Sequence, residues 1–131
     1  MSLKNVMTVI TVVTGLVGLG FIIFPTIITN QVFPTVGEEA IMVGVFHRQI
    51  MGAMVLVFSI FHWFIRDAEE VIAKRFLFAS GIIFLLNALI LLKVGVIEPF
   101  TTFPFPPFII LLILASASFY FSKKEYPDPT Q

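Results

Sequence analysis

Apolar residues run in four long blocks along this chain, separated by short stretches where charge, proline or glycine collects. The blocks cover residues 6–24, 41–65, 76–94 and 105–121. A helix needs roughly 20 apolar residues to cross the hydrocarbon of a bilayer. The first three blocks satisfy this. The fourth does so only if its helix starts near Phe103 or Phe105, ahead of the unbroken apolar run from Phe108. The first block follows Lys4, as the core of a secretory signal would. It is too long for such a core, and no small-x-small cleavage site follows, so a retained helix is expected. Pro25 ends it, because the residue before a proline is biased out of the helical region.

The stretches between the blocks differ in character. Residues 25–40 contain Asn30, Gln31, Pro34, Gly37, Glu38 and Glu39 and no basic residue, and read as an acidic loop. Arg66, Asp67, Glu69 and Glu70 form a short charged loop, with Lys74 and Arg75 just beyond it. Residues 95–107 are rich in proline and phenylalanine, and Pro106 and Pro107 suit the first turn of a helix. Residues 122–131 form a polar tail carrying Lys123, Lys124, Pro127 and Pro129. Lys4, Arg66, Lys74, Arg75, Lys123 and Lys124 would share one side of the membrane, with Lys93 and Arg48 toward the other. The positive-inside rule then puts both termini in the cytoplasm. The expected fold is all-α: one transmembrane domain over residues 1–131, an integral membrane four-helix bundle. The expected location is the plasma (inner) membrane of a prokaryote.

Composition sharpens this. The chain has 131 residues, of which 58% are hydrophobic and only 12% charged. Soluble domains average about 25% charged, so a soluble enzyme, a disordered regulator and a nucleic-acid binder are excluded. The net charge is zero, so there is no basic field to draw nucleic acid. Cysteine is absent, which removes thiolate catalysis, iron–sulfur ligation and cysteine zinc sites. Trp63, Tyr120 and Tyr126 fall toward the cytoplasmic ends of their blocks, as interfacial anchors do.

Each block carries small residues, which let helices approach closely in lipid. They are Thr11, Gly15 and Gly18 in the first, Gly44, Gly52 and Ala53 in the second, Ala79 to Gly81 and Ala88 in the third, and Ala115 to Ser118 in the fourth. The simplest role for them is packing inside the bundle.

The chemically informative run is His47-Arg48-Gln49 in the second block. Strongly polar residues are expensive in a membrane helix and usually face the bundle interior or water. Arg48 and Ser59 are eleven residues apart, about three turns, and share a face; His62 lies within about 40° of it. Ser80 and Asn87 are aligned on the third block, and if the two faces meet, Asn87 and Arg48 both belong to the outward half. Candidate ligand-binding residues are therefore Arg48, Gln49, His47, Asn87 and Ser59. Arg48 has two readings. It snorkels to lipid phosphate or a loop acceptor, or its planar donors bind an anionic or carbonyl-bearing ligand such as a quinone.

His47 and His62 are candidate cofactor ligands for haem or a chlorophyll-type pigment. They are separated by about 22 Å along the axis, so one chain cannot hold a haem between them. A homo-oligomer or a partner subunit would have to complete the site. The alternative is that His62 is interfacial, beside Trp63 and Arg66, and that His47 hydrogen-bonds a neighbouring helix. No carboxylate falls within a block, which argues against a proton-coupled carrier and against a carboxylate-ligated metal. No set of catalytic residues can be assembled.

Gly18 to Pro25 closing the first block, Arg48 to Gly52 in the second and the charged loop from Arg66 to Arg75 carry a family likeness. In these pieces and in its hydropathy the chain resembles small four-helix membrane proteins of the DoxX-like kind. The resemblance implies a compact bundle and no particular reaction, and a kinship with accessory subunits of oxidoreductases. The leading expectation is a non-enzymatic accessory or scaffold subunit of a larger membrane complex, in contact with lipid, quinone or pigment. The expected partners are membrane lipids and other membrane subunits or further copies of the chain. The alternatives are a small transporter, channel or ligand-binding protein centred on Arg48, and a haem-binding redox protein using His47 and His62.

Overall fold

The computed structural model describes residues 2–97 and 102–126. They form five α-helices and no strand: α1 (Leu3–Ile23), α2 (Pro25–Val32), α3 (Glu38–Ile65), α4 (Glu70–Ile97) and α5 (Phe105–Lys123). Helices α1, α3, α4 and α5 are each long and apolar enough to cross a membrane. The described residues are all-helical, and their four spanning-length helices make this a multi-pass membrane protein. Glu98 to Thr101, in the Pro/Phe stretch, and the tail prolines Pro127 and Pro129 lie outside the described residues.

Three boundaries differ from the sequence expectation. Residues 25–40 are not all loop, because Pro25–Val32 is helical. Phe24, held before the proline, leaves the helical region at φ −120° and ψ 41°. Pro25 then starts α2, where its missing N–H costs nothing. The ladder is bent rather than lost: the Phe24 N–H donates to the Gly20 carbonyl at 2.9 Å, and the Ile28 N–H to the Phe24 carbonyl at 3.2 Å. Helix α2 therefore continues α1 along α3, with the Thr29 methyl lying where a side chain on Gly44 would go. Helix α4 starts six residues earlier than its apolar block. A hydropathy window misses this charged first turn, in which Glu70 and Lys74 pair one turn apart at 2.6 Å. Helix α3 starts at Glu38, with Glu38 and Glu39 complementing the dipole of its N-terminus. Helix α5 starts at Phe105, one of the two starts that make the fourth block long enough to span.

The packing makes two helix pairs. Helix α1 runs along α3, and α4 along α5. Small residues set the first pair. A Cβ on Gly18 would come within 2.9 Å of the Gly52 carbonyl, and one on Gly52 within 2.7 Å of the Gly18 carbonyl. Two turns away, the Ser59 hydroxyl donates to the Thr11 carbonyl at 2.7 Å. In the second pair, Gly81 makes room for the Phe119 ring.

The pairs share one core, made by Val6, Met7 and Ile10 of α1, Ala73, Leu77 and Phe84 of α4, and Leu114 and Ala115 of α5, with Phe58 of α3 against it. This core lies in the half of the bundle nearer Lys4, Arg66, Lys74 and Lys123, the charged end. The first and last helices have their outer termini there, and Lys4 pairs with Asp67 of the α3–α4 turn. In the far half, Gly52 is the one buried residue of α3.

Candidate functional site

Helix α3 carries the polar run, and its charge spacing gives the depth of each residue. Arg48 and Arg66 are eighteen residues apart on α3, and Arg75 and Lys93 are eighteen apart on α4. Each interval is free of charge and spans about 27 Å at 1.5 Å per residue. That is close to the hydrocarbon thickness of about 30 Å. Arg48 and Lys93 therefore mark the far hydrocarbon boundary, while Arg66 and Arg75 mark the boundary at the charged end.

Arg48 is half-buried, its guanidinium 5.2 Å from the centroid of the Phe21 ring. It makes no ion pair among the described residues. His47 is exposed. Its Nδ1 lies 2.9 Å from the Val43 carbonyl, which can only accept, so the proton sits on that nitrogen. Gln49 is exposed, and its amide has no hydrogen bond among the described residues. Asn87 is also exposed; it donates to the Ile83 carbonyl of its own helix at 2.8 Å. No hydrogen bond joins Asn87 to Arg48. Ser59 is buried and occupied in joining α3 to α1.

His62 is fully buried between the rings of Phe58 and Phe76, whose centroids lie 4.4 and 4.8 Å from its own. Its Nδ1 donates to the Phe58 carbonyl at 3.0 Å. Its Nε2 is 2.9 Å from the Ser80 hydroxyl of α4. In the neutral ring Nε2 accepts from Ser80; the Ser80 oxygen also lies 2.8 Å from the Phe76 carbonyl, the other place its one proton can go. This is a hydrogen-bonded bridge between the two helix pairs. A metal at His62 would have to displace Ser80 or Phe58 and part the aromatic rings around it. His47, at the other end of the helix, is the histidine with an exposed ring.

The structure thus sorts the candidates into two levels. Ser59 and His62 are packing and bridging residues near the charged end. His47, Arg48 and Gln49 form a polar belt at the far boundary, and none of the three has a hydrogen bond or ion pair to another helix among the described residues. The Ser80 partner of His62 was not foreseen, although an antiparallel hairpin turning at residues 66–69 brings those stretches of α3 and α4 side by side. The charge distribution already put Lys93 on the same side as Arg48, and the equal eighteen-residue intervals add that the two share one depth. Among the described residues no three His, Asp or Glu side chains gather as a metal site.

At the charged end, exposed Asp67 accepts a hydrogen bond from Lys4, which with the neighbouring Arg66 holds its carboxyl below the usual value. Arg66 in turn lies over the Trp63 ring, 3.2 Å from its centroid.

Comparison with protein-family models, curated proteins and solved structures finds no match to this chain.

Proposed function

We propose that the protein is a small accessory subunit that docks in the membrane against a transmembrane helix of a larger partner, through the far half of α3. One observation carries this reading. Helix α3 buries three of its 28 residues, yet it exposes the Gln49 amide within one turn of the hydrocarbon boundary and without a hydrogen bond among the described residues. An unsatisfied polar group in lipid costs several kcal/mol, and a partner helix offering an acceptor or donor relieves that cost. A second copy of this chain fits less well. Two-fold pairing of this face would set Arg48 against Arg48 at one depth, and the carboxylates of α3 lie at Glu38 and Glu39, about 15 Å away along the axis. A partner with a carboxylate or carbonyl at this depth is complementary to both Arg48 and Gln49. Six of the eight basic residues lie at the end holding both outer helix termini, which makes that end cytoplasmic by the positive-inside rule, in the plasma membrane of a prokaryote.

The test is a photo-crosslinking residue at position 49, compared with one at Ile113 on the exposed face of α5. We expect one discrete polypeptide adduct from position 49 and none from position 113. Adducts of equal yield from both positions, or lipid adducts alone, would contradict the reading. Gln49→Leu should weaken the association about three- to tenfold, the scale of an interhelical hydrogen bond in a membrane.

The unpaired Arg48 guanidinium supports a second reading, in which an anionic or carbonyl-bearing small molecule occupies the belt. Loss of such a ligand from Arg48→Ala, with the partner still attached, would favour it.

A further inference from the structure

At the charged end, α4 and α5 border a shallow open groove of about 280 Å³. Its walls are Lys74 and Arg75 of α4 and Ser122 and Lys123 of α5, and Phe78 lines it as well. We propose that this groove binds the phosphate of an anionic phospholipid, with the acyl chains lying against the exposed apolar surface of α4 and α5.

Three observations converge on that ligand. The first is depth. Arg75 begins the charge-free interval of α4 that ends at Lys93, and Lys123 closes α5 eighteen residues after Phe105. Both cations therefore sit at the hydrocarbon boundary, where lipid phosphates are. The second is charge. Lys74 is paired with Glu70, but Arg75 and Lys123 make no ion pair among the described residues. Lys124, next along the chain, does not line the groove; its ammonium lies 5.7 and 5.8 Å from the Phe121 and Tyr126 ring centroids. What remains uncompensated in the groove is two cations from two helices, spaced by the helix contact itself. Basic pockets between membrane helices at the cytoplasmic boundary recognise phosphate headgroups in this way. The third is the apolar wall. Phe78 is 43% exposed and packs edge-on against Phe119, with ring centroids 5.4 Å apart. Its ring continues the groove from the cations into the hydrocarbon layer, as a lipid needs and a free phosphate does not.

The reading is independent of docking through α3, because the two sites use different helices and opposite boundaries. It is tested by native mass spectrometry of the detergent-purified chain, titrated in parallel with phosphatidylglycerol and phosphatidylcholine. A basic residue near an anionic headgroup is worth roughly a fivefold change in binding. We expect one phosphatidylglycerol to be retained at least tenfold better than phosphatidylcholine. The Arg75→Gln/Lys123→Gln variant should lose most of that preference, while Arg48→Gln/Lys93→Gln at the other boundary should keep it. Equal retention of the two lipids by the unmodified chain would overturn the proposal, and that comparison needs no variant to fold. So would a preference untouched by Arg75→Gln/Lys123→Gln. Displacement of the lipid by millimolar inorganic phosphate would overturn the lipid assignment and point to a soluble phosphate ligand.

Discussion

His62 illustrates how one side chain can be costly and useful at once. An imidazole inside a membrane bundle must satisfy two nitrogens, and here a carbonyl of its own helix takes one and the Ser80 hydroxyl of α4 the other. Ser80→Ala leaves Nε2 buried without a partner. Interhelical hydrogen bonds in membranes are worth about 0.6 kcal/mol on average and up to about 1.7, and a stranded buried acceptor adds to the loss. We expect about 1 kcal/mol of destabilisation, read from detergent-induced unfolding followed by circular dichroism; no change would mean that the bridge is incidental. Asp67 gives the corresponding pH test. Its carboxyl is held below the ordinary value by the Lys4 hydrogen bond. The ion pair therefore contributes fully above the unfolded carboxylate value and is lost as pH falls through the lower folded one. Lys4→Gln should return Asp67 toward ordinary titration by NMR, and added salt should weaken the difference, since the pair is exposed. At this scale the sequence was only partly legible. Spacing on one helix identified His62, Ser59 and Arg48 as special, but single-helix spacing cannot name a partner on another helix, so the His62–Ser80 bridge stayed hidden.

The α1–α3 pair depends on absent side chains. Gly18 and Gly52 face each other with backbone carbonyls where Cβ atoms would stand, while nothing lies within 4 Å of a Cβ built on Gly20. Gly52→Leu should force the helices apart, with an overpacking cost of about 1–3 kcal/mol. Gly20→Ala should be neutral or stabilising by up to about 1 kcal/mol through helix propensity. The same unfolding assay separates them, and equal effects would mean that the seam is not where the small residues place it. The sequence named Gly15, Gly18 and Gly52 as packing residues because small residues have few other uses in lipid. It missed α2, because prolines and polar residues between two apolar blocks read as loop. Thr29 is fully buried against Gly44, and its hydroxyl donates to the Pro25 carbonyl at 2.7 Å. That tertiary contact sits over a segment whose own pattern does not announce a helix.

At the scale of the whole molecule, hydropathy made the four spans legible, because the bilayer imposes a single length on every segment that crosses it. The arrangement of those spans was not legible. Nothing in the hydropathy indicates that two helix pairs share a core only toward the charged end, leaving the far half of α3 packed on α1 and α2 alone, with the face that carries Gln49 exposed. That exposed face is the basis for reading the protein as a subunit rather than a finished unit. The most direct test is native mass spectrometry of the protein released gently from its own membrane. We expect a particle heavier than the 14.7 kDa chain that contains a second polypeptide, and that retains it less well when Gln49 is replaced by leucine. A bare monomer, or an assembly of identical chains carrying only lipid, would contradict it.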